Sequence, residues 1–211
     1  MIQNLKPSFL RGLYAITDSR LIPKDKFIST VEQAIIGGAS VVQYRDKTDD
    51  DKRRFEQALA LNQLCQEYKR LLIINDDVEL AREVGADGVH IGQDDASLKT
   101  ARAVLGEQAI IGVSCYNQFA LAQEAVEAGA SYVAFGRFFS SQIKPDAVQA
   151  NVDLLHEARE NLNCPIVAIG GITPDNGAQL LAAGADSLAV IQGLFGQADV
   201  MAVAQRYARL F

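Results

Sequence analysis

Four stretches carry one phrase: Gly37-Gly38-Ala39-Ser40-Val41-Val42-Gln43, Val84-Gly85-Ala86-Asp87-Gly88-Val89-His90-Ile91, Ala128-Gly129-Ala130-Ser131-Tyr132-Val133-Ala134-Phe135 and Ala183-Gly184-Ala185-Asp186-Ser187-Leu188-Ala189-Val190. They recur about every 45 to 55 residues, the period of a supersecondary repeat. Each copy ends an amphipathic segment, supplies a glycine for a helix C-terminal turn and opens a β-branched or aromatic run. Each therefore reads as a helix-to-strand joint. Between the copies lie other short apolar runs, Leu13–Thr17, Leu71–Asn75, Ile110–Ser114 and Pro165–Gly171. Interleaving the two sets predicts eight strands separated by helical patterns such as Asp51–Tyr68, Ala120–Ala128 and Val200–Leu210. A doubly wound open sheet shares this alternation, but eight regularly spaced units favour a closed α/β (β/α)8 TIM barrel.

The chain has 211 residues, 49% of them hydrophobic, enough for one substantial core. No Pro/Gly/Ser-rich linker divides it, so residues 1–211 are expected to form a single barrel domain, with residues 1–11 as its N-terminal extension. No run of eighteen apolar residues is free of charge, and the first residues lack the features of a secretory signal; cytoplasm is the expected location, with no membrane partner. A formal net charge of -6 argues against nucleic acid as a partner. Any phosphate site must be built locally. Cys65, Cys115 and Cys164 are too few and too scattered for a disulfide framework or zinc site, and read as buried thiols. Small-molecule substrates are the expected partners, with a homo-oligomer left open.

Barrel chemistry sits at the C-terminal strand ends, which selects the polar residues just after each apolar run. The second run continues Gln43-Tyr44-Arg45-Asp46-Lys47. Strand alternation places Gln43, Arg45 and Lys47 on one face, where two cations suit an anion such as a diphosphate unless Asp46 and Asp49 simply pair with them. Asn75-Asp76-Asp77 ends the third run, and Gln93-Asp94-Asp95 follows the fourth. Neighbouring strands bring these clusters to one rim, where Asp76 and Asp95 are candidate Mg²⁺ ligands while Asp77 or Asp94 could cap the next helix. Ser114 could bind a polar heterocycle. Ser141 and Lys144 lie on a polar sixth loop, from which the lysine could reach a leaving diphosphate unless it is simply solvated. Gly171, with Thr173 as helix N-cap and Pro174 as first helical residue, suits a phosphate. His90, within a strand, and His156, on a helix, read as structural or surface groups. Among the tyrosines, only Tyr44 and Tyr116 lie near the rim.

Together, GLYAITD (12–18), QYRDK (43–47), INDD (74–77), DGVHIGQDD (87–95), IGVSCYN (111–117) and AIGGIT (168–173) closely resemble the thiamin phosphate synthase family, over about Gly12 to Phe195. The resemblance implies a Mg²⁺-dependent transferase that joins an aminopyrimidine diphosphate to a thiazole phosphate and releases diphosphate through a dissociative, carbocation-like step. It implies that Gln43 through Lys47 hold the first substrate, with Arg45 and Lys47 on its phosphates. Asn75 and Ser114 join them, Asp76 and Asp95 bind Mg²⁺, and Lys144 faces the diphosphate. Ser141, Gly171, Ile191 and Gln192 fall where the thiazole phosphate belongs. The chain departs from the family pattern twice. Ile143 replaces a hydroxyl residue before Lys144, and Gln192 stands where a serine commonly follows isoleucine. Alternatives are another phosphate-binding barrel enzyme, which needs an acid–base pair at the rim, and a descendant that binds thiamin phosphate without making it.

Overall fold

The structure, a computed structural model, describes residues 8–140 and 149–211. Eight parallel strands close a barrel in chain order: β1 (Gly12–Ile16), β2 (Ala39–Tyr44), β3 (Leu71–Asn75), β4 (Gly88–Ile91), β5 (Ile110–Ser114), β6 (Tyr132–Gly136), β7 (Ile166–Ile169) and β8 (Ser187–Val190). Closure is made by β1 against β8, with Gly12 opposite Ser187 and Ala15 opposite Val190. The helices outside are α1 (Phe27–Ile36), α2 (Asp51–Glu67), α3 (Val78–Val84), α4 (Leu98–Leu105), α5 (Phe119–Glu127), α6 (Asp153–Asn161), α7 (Gly177–Ala182), the short α8 (Gln192–Phe195) and α9 (Val200–Ala208).

The four-fold phrase has a mechanical meaning. Its glycines, Gly38, Gly85, Gly129 and Gly184, all have positive φ, between 68° and 120°. A side chain there would be strained, so glycine lets the chain leave each helix and turn into the next strand. Two residues later the polar position stitches the even strand to the odd strand before it. Ser40 Oγ donates to Leu13 O at 3.2 Å, Asp87 accepts from Leu72 N at 2.8 Å, Ser131 Oγ accepts from Ile111 N at 3.0 Å, and Asp186 accepts from Ile166 N at 2.8 Å. The repeat therefore fixes the register of four strand pairs at the N-terminal rim.

Two apolar layers follow from strand alternation. Outward-facing residues such as Leu13, Val42, Leu72, Val89 and Leu188 pack against the helices. Inward-facing residues, among them Tyr14, Val41, Ile73, Tyr132 and Val167, fill the barrel. Leu10, on a 3₁₀ turn at Ser8–Leu10, joins this inner layer and plugs its N-terminal end. Cys65, Cys115 and Cys164 are buried thiols outside any disulfide, as expected, and burial pushes Cys65 and Cys115 up to about 12.

Tyr132 lies across Gly112 on β5, where an added Cβ would meet the ring at 1.9 Å. Gly112→Ala must displace a fully buried tyrosine. It is expected to cost about 1–3 kcal/mol by overpacking, read as a lower midpoint in urea denaturation at an unchanged slope.

Candidate active site

The C-terminal mouth holds two adjoining pockets that meet at Asn75. The central one, of about 410 Å³, is lined by Gln43, Arg45, Ser114, Gly171, Ile191 and Gln192 among others. The outer one, of about 610 Å³, lies over the starts of α2 to α4 and is lined by Asp46, Lys47, Asp76, Asp95 and their neighbours.

β2 stops at Tyr44, so the expected continuation of one strand face through Lys47 fails. Arg45 and Lys47 leave the sheet in different directions and serve different pockets. Arg45 is held from β1: its backbone N–H donates to Thr17 Oγ at 2.9 Å, and its guanidinium meets Asp18 at 3.2 Å. Lys47 instead pairs with Asp76. Neither cation is neutralised by Asp46 or Asp49. Asp46 accepts from Thr48 N at 3.0 Å and pairs with Arg53 at 2.8 Å, which shapes the loop between β2 and α2. Tyr44 lies outside both pockets, because alternation turns it away from Gln43. It packs edge-on to Phe27 at 5.9 Å, and its hydroxyl donates to Gln57 at 3.1 Å.

Asp18 was not singled out among the candidates, although Thr17-Asp18 directly follow the first apolar run. Its carboxylate, 2% exposed, accepts from Arg20 at 2.7 and 2.9 Å as well as from Arg45. The Arg20 hydrogen bonds, helped by the charges of Arg20 and Arg45 and opposed by burial, hold Asp18 below the usual carboxylate range. A depressed folded-state value means that the stabilisation is present above the unfolded value, roughly 3.9, and is lost as pH falls through the folded one. Asp18→Asn is expected to cost about 2 kcal/mol at pH 7. The difference from the parent should shrink progressively below about pH 4 in urea titrations run across pH.

Asp76 follows β3 with φ 63°, a left-handed conformation, and its N–H donates to His90 O at 2.8 Å. This turn aims its carboxylate back at the mouth. Asp95 accepts from Gly92 N at 2.7 Å. Burial, then hydrogen bonding and repulsion from Asp76, push Asp95 above the ordinary carboxylate range despite Lys47. Two carboxylates so close favour a cation between them. Among the described residues no third His, Cys, Asp or Glu joins them, which fits a hard ion that takes one or two protein oxygens and fills its shell from phosphate and water. Asp77 caps α3 through Leu80 N at 2.9 Å and pairs with Arg54. The α4 cap is Ser97, not Asp94.

At the far side, Gly170 and Gly171, with φ 106° and 64°, leave no room for a side chain, the first beside Arg137 and the second beside Phe139 and Ser140, and open the wall beside Ile191 and Gln192. Thr173 does not cap a helix. Its N–H donates to Asn176 Oδ1 at 2.8 Å in a turn, and α7 begins at Gly177. Ser141, Ile143 and Lys144 lie outside the described residues.

His90 is a structural group, as expected, but with a place in the pocket wall that its strand position alone did not suggest. It is 9% exposed, lines the central pocket, and bonds Ser114 Oγ through Nε2 at 2.9 Å and the Tyr132 hydroxyl through Nδ1 at 3.0 Å. A Ser–His contact suggests nucleophilic catalysis, but Nδ1 meets a phenol where a triad needs a carboxylate. Burial keeps that phenol neutral, well above its usual value. The pair therefore lacks the carboxylate that would make the serine a nucleophile. His156 is exposed on α6, as expected.

Fold and site together define a (β/α)8-barrel enzyme that gathers cations and a carboxylate pair beside a largely apolar pocket. The profile of the family described as thiamine monophosphate synthase matches residues 13–194. The thiamine-phosphate synthase of Nitrosococcus oceani is 53% identical over 97% of this chain and 94% of its own length. That of Marinobacter nauticus is 54% identical over 95% and 90%. Among solved structures, thiamine phosphate pyrophosphorylase from Pyrococcus furiosus superposes with a TM-score of 0.87 at 33% identity, covering 98% of this chain and 96% of that one. The chain belongs to the thiamine monophosphate synthase family.

Proposed function

We infer that this chain makes thiamin phosphate, joining 4-amino-2-methyl-5-(diphosphooxymethyl)pyrimidine to 4-methyl-5-(2-phosphooxyethyl)thiazole with release of diphosphate. The observation that carries the site assignment is the junction at Asn75. It puts a mostly apolar cavity, sized for two heterocycles, beside a pocket of cations and carboxylates suited to a diphosphate.

Gln43 and Ser114 would hold the pyrimidine in the central cavity, with Asn75 at its junction with the diphosphate. The C–O bond to the diphosphate breaks with its electron pair leaving on oxygen, and the thiazole nitrogen's lone pair forms the new C–N bond. Arg45, from the central cavity, and Lys47, from the outer pocket, would meet at their junction the charge that accumulates on the leaving group, the place where preorganised donors help most. Asp76 and Asp95 would hold Mg²⁺, which supplies further neutralisation of the diphosphate when bound. Lys47 then exchanges Asp76 for phosphate. By sequence alone, Lys144 and Ser141 join from the sixth loop. Gly171, Ile191 and Gln192 form the wall assigned to the thiazole phosphate. The apolar lining excludes water that would otherwise trap the cation as an alcohol. We place this chemistry in one catalytic domain in the cytoplasm; among the described residues no helix is long and apolar enough to cross a membrane.

Mixing the protein with both substrates and Mg²⁺ and separating the products by chromatography tests the assignment. Equal amounts of thiamin phosphate and diphosphate, abolished by a chelator, are expected. Diphosphate without coupled product would remove the thiazole assignment, and no turnover at saturating substrate would favour a binding-only role.

A further inference from the structure

Gln43 and Ser114 stand on β2 and β5 and are joined beneath the central cavity by three side chains. Gln43 Nε2 donates to the Tyr14 hydroxyl at 2.9 Å, and the Tyr14 and Tyr132 hydroxyls lie 2.7 Å apart. The Tyr132 hydroxyl meets His90 Nδ1 at 3.0 Å, and His90 Nε2 meets Ser114 Oγ at 2.9 Å. Both phenols are fully buried and burial keeps them protonated. The His90 ring stacks on Tyr132 with centroids 5.6 Å apart, so the chain is also held by packing.

Each link passes a direction to the next. A phenol donates one hydrogen, and a neutral imidazole donates through one nitrogen and accepts through the other. With Gln43 donating to Tyr14, Tyr14 donates to Tyr132, Tyr132 to Nδ1, and Nε2–H to Ser114. Gln43 then presents its carbonyl oxygen to the cavity, and Ser114 its hydroxyl hydrogen. If the Gln43 amide turns over, every donor reverses. Gln43 then presents its NH₂ and Ser114 only lone pairs. With His90 neutral, any mixed arrangement strands a hydroxyl hydrogen or faces two acceptors in a buried place, which is costly.

We propose that Tyr14, Tyr132 and His90 are positioning residues that hold the cavity-facing groups of Gln43 and Ser114 in opposite hydrogen-bonding senses, so that the pocket selects a heterocycle offering one donor and one acceptor. The amino group and ring nitrogen of an aminopyrimidine meet that demand. A 4-methoxypyrimidine, which offers two acceptors, does not. This rests on the pyrimidine placement proposed above and adds the source of its selectivity.

Calorimetric titration with 4-amino-2-methyl-5-(phosphooxymethyl)pyrimidine and its 4-methoxy counterpart tests it, since neither carries a diphosphate to release. The parent protein is expected to favour the amino compound by about 10-fold or more. Tyr132→Phe keeps the ring and cuts the chain, freeing each end to turn separately, so the preference should fall by about 5-fold or more. Tyr14→Phe cuts it one link earlier with the same result, and it serves should Tyr132→Phe fail to fold. A preference unchanged within about twofold in the folded variants, even if both ligands bind more weakly, overturns the proposal and leaves the tyrosines as packing. Failure of the parent protein to bind either compound overturns the pyrimidine placement itself, and the selectivity with it.

Discussion

Asp76→Ala is expected to lower Mg²⁺-dependent turnover by about 10²–10³-fold, the scale set by loss of one preorganised electrostatic group at a leaving charge. Asp76 is placed for this by a left-handed backbone at the end of β3 and by a carboxylate neighbour, Asp95, whose proton affinity is raised by burial and by Asp76 itself. Alanine is strained in that conformation by roughly 1–2 kcal/mol, which would confuse a loss of activity with a loss of fold. Asp76→Asn resolves this, because asparagine tolerates the left-handed region and matches the shape while removing the charge. Both variants should lose activity alike and shift the Mg²⁺ requirement upward, while the asparagine variant keeps nearly the parent's urea midpoint. Steady-state rates over a Mg²⁺ series decide it; unchanged metal dependence in both would reject Asp76 as a ligand.

Arg45→Ala is expected to lower kcat by about 10²–10³-fold with a smaller change in the KM for the pyrimidine diphosphate, because its guanidinium meets charge that grows during bond breaking. The size follows from preorganisation. Asp18 and Thr17 fix Arg45 before substrate arrives, whereas Lys47, 58% exposed and paired with Asp76, must change partners. Lys47→Ala should therefore cost less. Arg45→Lys should recover little, since an ammonium cannot keep the guanidinium's geometry between Asp18 and a phosphate. Kinetics of the three variants check the order. A loss under about threefold for Arg45→Ala would take that residue out of the reaction.

The four glycine joints made the barrel legible, because a residue type needed for positive φ recurred with a fixed polar partner two places on. The carboxylate pair was legible for a similar reason: Asp76 and Asp95 follow adjacent strands, and strand order alone brings them together. That Arg45 and Lys47 lie at the mouth was legible, but their separation was not, since nothing in QYRDK marks Tyr44 as the last paired residue. Thr173-Pro174 has the form of a helix start, yet the Asn176 side chain closes a turn there first. The least legible part was the buried chain from Gln43 to Ser114. It depends on which inward-facing residues of β1, β4 and β6 meet across the barrel, and Tyr14, His90 and Tyr132 look like ordinary core positions when taken one strand at a time. Asp18 was hidden similarly, its two arginine partners being distributed between its own loop and β2's extension.

We place bond breaking at Asn75, with the heterocycles in the inner cavity and the diphosphate outside it. The most direct measurement is a crystal structure of the protein grown with thiamin phosphate, diphosphate and Mn²⁺ in place of Mg²⁺, with the metal located by anomalous scattering. One anomalous peak is expected between the carboxylates of Asp76 and Asp95, with diphosphate against Lys47 and Arg45 and the pyrimidine ring between Gln43 and Ser114. A metal bound away from both carboxylates, or diphosphate lodged against Gly171 and Gln192, would contradict it.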